Sequence, residues 1–188
     1  MAAQEKSTGF YAAGFHYGQG RINNFLFSDE DYAYEVKFHK LPVYYNLKKG
    51  KFDIDLLFQP EYNRARQELL NFWFVDTDKE REIFMRPKTI NEYILSVGII
   101  VRKDVFPWLN AYVIASVGPG YFDRGTERVA KGFAFSDVLG LGLRLKISER
   151  FSFQFQPTVR HISNANLKKP NSGHNSLNWE SGLVYCFE

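Results

Sequence analysis

Apolar residues alternate with polar or small residues through most of this 188-residue chain. Successive side chains of an extended strand point to opposite faces, so this alternation predicts β-strands with two chemically different faces. Eight segments rich in aromatic or β-branched residues and bounded by turn formers show the pattern. They are residues 9–19, 32–47, 51–62, 90–103, 107–121, 131–147, 149–163 and 175–187. The sequence therefore predicts an all-β protein in which residues 1–188 form a single domain.

Short and long links between the predicted strands alternate along the chain. The short links lie near 48–50, 103–106 and 148, and the long links span 20–31, 63–89, 122–130 and 164–174. An antiparallel up-and-down barrel would place every short turn at one end and every long loop at the other, as outer-membrane barrels do. The 63–89 link is long enough for a short helix or an extension of its hairpin, and the sequence does not decide between them.

The composition allows a membrane barrel but not a membrane helix. Aromatic residues make up 17% of the chain while its mean hydropathy is only -0.33. No apolar run approaches the roughly 18 residues of a spanning helix, whereas a barrel strand needs only about ten alternating residues. Alternation does not reveal which face is outside, so a soluble barrel or sandwich with an apolar interior fits the same strands. The alternating links, and a last strand that ends in Tyr185 and Phe187, favour the transmembrane barrel.

Charge and cysteine content exclude other classes of protein. A net charge of +3 with no run of Lys or Arg argues against a nucleic-acid partner. Cys186 is the single cysteine, so there is no internal disulfide and no cysteine-based metal site. The first residues, MAAQEKSTGF, lack the features of a signal peptide. The chain is thus either cytosolic or a mature chain, its signal peptide removed and a start methionine added.

A histidine and a serine end the apolar row of one predicted strand. In ERFSFQFQPTVRHIS, His161 and Ser163 share a face with Phe153, Phe155 and Val159. Residues i and i+2 of a strand lie roughly 6.5–7 Å apart, so the imidazole can reach the serine hydroxyl. A histidine base beside a serine nucleophile is the arrangement that acyl transfer requires. Taken alone the signal is weak, because polar residues that end a strand are more often structural.

The surrounding residues carry a resemblance to a known family. His161-Ile162-Ser163-Asn164-Ala165, then Leu167-Lys168 and Pro170-Asn171-x-Gly173, resembles the signature of the outer-membrane lipid A 3-O-deacylases of the PagL type. The similarity runs from about Pro107 to Phe187 and includes GFAFSDVLGLGLRL, while the first half of the chain offers no matching motif. The resemblance implies an eight-stranded antiparallel up-and-down transmembrane β-barrel in the bacterial outer membrane, and hence a mature chain. It also implies hydrolysis of a 3-hydroxyacyl ester of lipopolysaccharide, with lipid A and outer-membrane lipids as partners.

By this resemblance His161 is the general base and Ser163 the nucleophile, and neither a metal nor another cofactor is needed. The family's acidic third member falls fourteen residues after the histidine, and here that position is Asn175. An asparagine oxygen can orient an imidazole but supplies no negative charge. Asn164 and Asn171 are candidates either for stabilising the oxyanion or for ordering the loop.

Basic residues outside the motif suggest where lipopolysaccharide phosphates could bind. Arg64, Arg66, Lys168 and Lys169 fall in predicted external loops, where they either contact phosphates or are simply solvated. Two other functions remain open: a catalytically inactive barrel that binds lipopolysaccharide, and a soluble lipocalin-like lipid carrier. Whether the barrel forms a homodimer is also left open.

Overall fold

The computed structural model describes residues 9–71, 73 and 75–187. Nine antiparallel strands and one short helix make up this described part. The elements are β1 (Gly9–Arg21), β2 (Tyr32–Lys40), β3 (Val43–Lys48), β4 (Asp53–Leu69), α1 (Asp78–Phe84), β5 (Lys88–Phe106), β6 (Leu109–Phe122), β7 (Gly132–Lys146), β8 (Phe151–Ser163) and β9 (His174–Cys186). No helix among these residues is long and apolar enough to cross a membrane.

The strands close into a barrel with eight strand positions. Each strand pairs with its neighbour in the sheet, and β1 pairs with β9 to close it. β2 and β3 both pair with β1 on one side and β4 on the other, so they occupy one position between them. Leu41 and Pro42 interrupt this position, because a proline has no N–H to give to the ladder. The predicted all-β, eight-stranded antiparallel barrel is confirmed.

The predicted alternation of short and long links is also confirmed. Short turns at 49–52, 107–108 and 147–150 gather at one end of the barrel, and long loops at 22–31, 70–87, 123–131 and 164–173 at the other. The predicted 63–89 link contains both features that the sequence left open. β4 extends its hairpin to Leu69, and α1 follows, capped by Thr77, whose side chain accepts from the Glu80 N–H at 3.2 Å.

The outer wall of the barrel is apolar and its interior is polar. On β7 the outward side chains Leu139 and Leu141 are 60% and 63% exposed, whereas Arg144 is buried inside. The interior contains the ion pair of Lys40 with Glu180 at 2.7 Å. A soluble lipocalin-like carrier, one of the alternatives left open by the sequence, needs the reverse arrangement, so the structure argues against it. An apolar wall of this extent fits a barrel surrounded by lipid.

Candidate active site

His161 and Ser163 lie at the end of β8 that leads into the 164–173 loop. Buried and more exposed side chains alternate along β8, and both residues belong to its outward face, as their sequence parity predicts. Arg160, which precedes them, and Ile162, which lies between them, point into the barrel and are buried. The pair therefore lies on the outer wall, at the end of the barrel where the long loops gather.

Asn175 orients the imidazole of His161. The two residues are direct partners across the β8–β9 ladder, and Asn175 Oδ1 lies 2.7 Å from His161 Nδ1. An amide oxygen only accepts a hydrogen bond, so Nδ1 carries the proton and donates it. Nε2 is then left with its lone pair, which is the form of imidazole that can act as a base. The third position of the motif is thus occupied by a residue that sets the tautomer without supplying charge.

A carboxylate that the sequence analysis did not single out lies on the other side of His161. Asp137 of β7 is the direct cross-strand partner of His161, and its side chain is exposed on the outer face. Such partners have Cβ atoms about 4.5–5.5 Å apart, close enough for electrostatic attraction without a hydrogen bond. Asp137 belongs to the GFAFSDVLGLGLRL segment, which carried part of the resemblance. Its proximity to His161 depends on the β7–β8 register.

Gly173 packs against the imidazole from the loop side. Its φ is +64°, a conformation that favours glycine. A β-carbon at this position would lie 2.7 Å from the Ile162 carbonyl oxygen and 3.1 Å from His161 Cε1. The glycine of the Pro-Asn-x-Gly motif therefore allows the chain to pass close to the catalytic candidate.

Asn164 and Asn171 hold the 164–173 loop together. The Asn164 backbone N–H donates to Asn171 Oδ1 at 2.6 Å, and Asn164 Nδ2 donates to the carbonyls of Lys168 and Pro170 at 2.6 and 3.2 Å. Asn171 Nδ2 in turn donates to Asn166 Oδ1 at 3.1 Å. Asn164 is fully buried. Of the two roles predicted for this pair, these contacts favour loop order.

Two backbone donors next to Ser163 remain unused. Ala165 and Asn166 have φ values of 50° and 61°, which turn the chain sharply after the strand. Neither N–H group donates a hydrogen bond to any of the residues that the structure describes. Free, fixed backbone donors beside a nucleophile are the groups that stabilise a tetrahedral oxyanion.

The predicted phosphate-binding residues fall in two places. Lys168 and Lys169 are exposed in the 164–173 loop, as predicted. Arg64 and Arg66 are not in a loop: they lie on β4 with their side chains on the outer face. The prediction of a loop was wrong because Asn63 and Gln67, the inward-facing residues on either side of this pair, are polar. Apolar and polar residues therefore do not alternate in this part of β4.

No group of three or more His, Cys, Asp or Glu side chains within residues 9–71, 73 and 75–187 is arranged to hold a metal ion. The candidate site therefore consists of a histidine, a serine, an orienting amide and two free N–H groups on the apolar outer wall of the barrel.

Comparison with known proteins adds a family and several similar folds. The crystal structure of the outer membrane enzyme PagL is 12% identical, with a TM-score of 0.49, covering 94% of this chain and 98% of that one. Neisserial surface protein A is also 12% identical, with a TM-score of 0.49 over 94% of this chain and 96% of that one. The attachment invasion locus protein Ail of Yersinia pestis, in complex with sucrose octasulfate, is 13% identical, with a TM-score of 0.49 over 96% and 100% of the two chains.

No curated protein matches the chain significantly. The family model for lipid A 3-O-deacylase (PagL), however, matches residues 42–183. This match covers well over half of the sequence and includes β8, the 164–173 loop and most of β9. The chain belongs to the lipid A 3-O-deacylase (PagL) family.

Proposed function

We propose that this protein is an outer-membrane esterase that removes a 3-hydroxyacyl chain from lipid A, with Ser163 as the nucleophile and His161 as the general base. The contact of 2.7 Å between His161 Nδ1 and Asn175 Oδ1 carries the proposal, because it leaves Nε2 free to accept a proton on the face where Ser163 lies. Membership of the PagL family supports lipid A as the substrate.

The reaction follows from the chemistry of these groups. His161 Nε2 takes the proton of Ser163 Oγ as this oxygen attacks the ester carbonyl. The N–H groups of Ala165 and Asn166 donate to the oxyanion that develops. The intermediate collapses to an acyl-enzyme, and His161 returns the proton to the departing sugar hydroxyl. Water, activated by His161 in the same way, then releases the 3-hydroxy fatty acid and restores Ser163.

Asp137 supplies the charge that Asn175 lacks. When His161 accepts the proton it becomes a cation, and an amide partner gives little stabilisation to a cation. The exposed carboxylate of Asp137 on the neighbouring strand attracts the imidazolium. Because Asp137 acts through His161 and not on the substrate, we assign it a positioning and electrostatic role.

The position of the site explains how a lipid ester reaches it. His161 and Ser163 face outward from an apolar wall at the end that carries the long loops. In an outer-membrane barrel this end is external. A lipid of the outer leaflet can then present its ester to Ser163 by moving sideways in the membrane, and its acyl chains remain in the hydrocarbon layer.

The proposal is tested by mass spectrometry of purified lipid A incubated with the folded protein in detergent. The wild type should remove one 3-hydroxyacyl chain and Ser163→Ala should remove none. Ser172→Ala, which changes an exposed serine of the same loop, is the matched control and should keep the activity. If wild-type protein that is shown to be folded releases no chain, the catalytic proposal is rejected. An inactive barrel that binds lipopolysaccharide then becomes the better description.

A further inference from the structure

A groove of about 830 Å³ opens on the outer wall, near the end of the barrel that carries the long loops. It is bounded by the outward faces of β9, β1, β2 and β4 and by the 22–31 loop. Four basic residues line it, and Glu35 is the single acidic residue among its described lining residues. The basic residues are Arg21, Lys37, Arg64 and Arg66. This surface is distinct from the wall of leucines elsewhere on the barrel.

The strand register brings these charges together. Glu35 of β2 is the cross-strand partner of Arg21 and of Arg66, and Lys37 is the partner of Arg64. None of the four basic side chains has a carboxylate within 4.0 Å anywhere in the described residues, although Glu35 lies between two of them. Adjacent cations repel one another, so this cluster has unmet affinity for an anion.

The 22–31 loop forms an ordered, apolar side of the groove. Asn24 Oδ1 accepts from the N–H groups of Leu26 and Phe27 at 2.8 and 3.0 Å, which fixes the turn. Phe25 at its tip is 78% exposed and lines the groove. Leu177 also lines the groove: it belongs to the outward face of β9, yet it is only 5% exposed. A pocket with basic groups on one side and exposed aromatic surface on the other suits an amphiphile.

The arginines lie at the depth of lipid headgroups. Tyr62 and Tyr93 pack with ring centroids 5.4 Å apart on the outer face, and aromatic residues of this kind mark the membrane interface. Arg64 and Arg66 follow Tyr62 on β4 towards the long loops, about 7 and 13 Å further along the strand at 3.3 Å per residue. The guanidinium groups are therefore above the hydrocarbon layer, where phosphates of lipids are found.

The groove also lies close to β8, which carries the proposed nucleophile and base. Leu177 lines the groove and pairs with Val159 on β8, two residues from His161, and with Arg21 on β1. Strands are spaced about 4.8 Å apart, so Arg21, the nearest residue of the basic cluster, is on the order of 10 Å from β8. Arg64 and Arg66 lie on β4, four strands from β8, which is on the order of 20 Å along the wall. One molecule with an acyl ester and a phosphate on neighbouring sugar rings could occupy both places.

We propose that this groove binds a phosphomonoester on the sugar headgroup of the glycolipid substrate, with Arg64 and Arg66 as its main ligands. The inference rests on the proposed function, since it places the headgroup of the lipid whose ester Ser163 attacks. Arg offers a planar fork of donors that matches phosphate oxygens, which favours arginine over lysine for this role. Lys37 and Arg21 add positive charge from the neighbouring strands.

The test measures binding separately from catalysis. Full-length Ser163→Ala protein in detergent is titrated with bisphosphorylated lipid A, with chemically dephosphorylated lipid A and with inorganic phosphate. The variant R64Q/R66Q is compared with K49Q/K51Q, which removes two charges from an exposed turn at the opposite end. R64Q/R66Q should bind bisphosphorylated lipid A about tenfold or more weakly, given the strength of charged hydrogen bonds. K49Q/K51Q should match the parent.

The proposal predicts that R64Q/R66Q and its parent bind dephosphorylated lipid A equally. Equal binding of bisphosphorylated lipid A by the two proteins would overturn it. If inorganic phosphate alone binds as tightly as lipid A, the groove is a phosphate site and the assignment to a glycolipid is wrong. Failure of the deacylase function would appear instead as absence of chain release by wild type in mass spectrometry, while the binding results would still stand.

Discussion

The side-chain oxygen of Asn175 lies 2.7 Å from the imidazole Nδ1 of His161, its partner across the β8–β9 ladder. This contact sets the tautomer of the histidine without adding a negative charge. Each consequence of the arrangement can be measured.

Asn175→Glu should raise kcat for lipid A deacylation by about tenfold or more, because a carboxylate at this position would stabilise the imidazolium in the transition state. Asn175→Leu should lower kcat strongly, since Nδ1 loses its acceptor and the tautomer is no longer set. Initial rates of 3-hydroxy fatty acid release measure both effects. Unchanged kcat in Asn175→Leu would show that the contact has no catalytic role.

Asp137→Asn should lower kcat by roughly tenfold while leaving KM nearly unchanged, because the carboxylate stabilises a charge that exists only during the reaction. The double variant Asp137→Asn/Asn175→Glu should recover most of the loss, since it restores one negative charge beside His161. If the double variant is as slow as Asp137→Asn, electrostatic compensation is not the explanation.

Gly173→Ala should reduce kcat more than its effect on folding explains. The new β-carbon would lie 3.1 Å from His161 Cε1, so the ring must move from its position by a few tenths of an ångström. Gly132→Ala is the matched control: its φ is also positive, at +116°, but nothing lies within 4 Å of the added carbon. Gly132→Ala should lose about 1–2 kcal/mol of stability from backbone strain. Gly173→Ala should lose more, because its β-carbon would also lie 2.7 Å from the Ile162 carbonyl oxygen. A normal kcat in Gly173→Ala would refute this close packing.

Asn171→Ala should loosen the 164–173 loop, because the Asn164 backbone N–H would lose its acceptor at 2.6 Å. Limited proteolysis of the folded barrel should then cut this loop faster than in wild type. Asn171→Asp keeps an acceptor for that N–H and should retain the protection. Equal loss of activity in Asn171→Ala and Asn171→Asp, with proteolysis unchanged in both, would indicate instead that the Asn171 amide donates to the oxyanion.

Glu92→Gln should destabilise the barrel without altering the outer face. Arg160 Nη2 lies 2.6 Å from Glu92 Oε2 in the interior, and both side chains are buried. Removing one partner of a buried ion pair costs about 3–5 kcal/mol. Denaturant unfolding of the barrel in lipid vesicles measures this loss. Glu82→Gln is the control, since the Arg86–Glu82 pair is exposed and should contribute less than about 1 kcal/mol.

Much of the fold can be predicted from the sequence because its signals are local. Alternation with period two identifies a strand, and turn-forming residues mark its ends without knowledge of its neighbours. This logic failed for Arg64 and Arg66, where polar residues on both faces of β4 concealed the strand. It also missed the break at Pro42, since both halves of that strand show the same alternation.

Local pattern in the chain is enough to predict the eight strand positions, the grouping of the long loops at one end and the common face of His161 and Ser163. That this face is the outside of the barrel is known only from the folded structure, because alternation is unchanged when the two faces are exchanged. The partners of His161 were likewise decided by register: Asn175 and Asp137 lie on the two neighbouring strands, and hydrogen bonding between strands sets which residues meet. The basic groove depends on three such registers at once, which no single segment of the chain encodes.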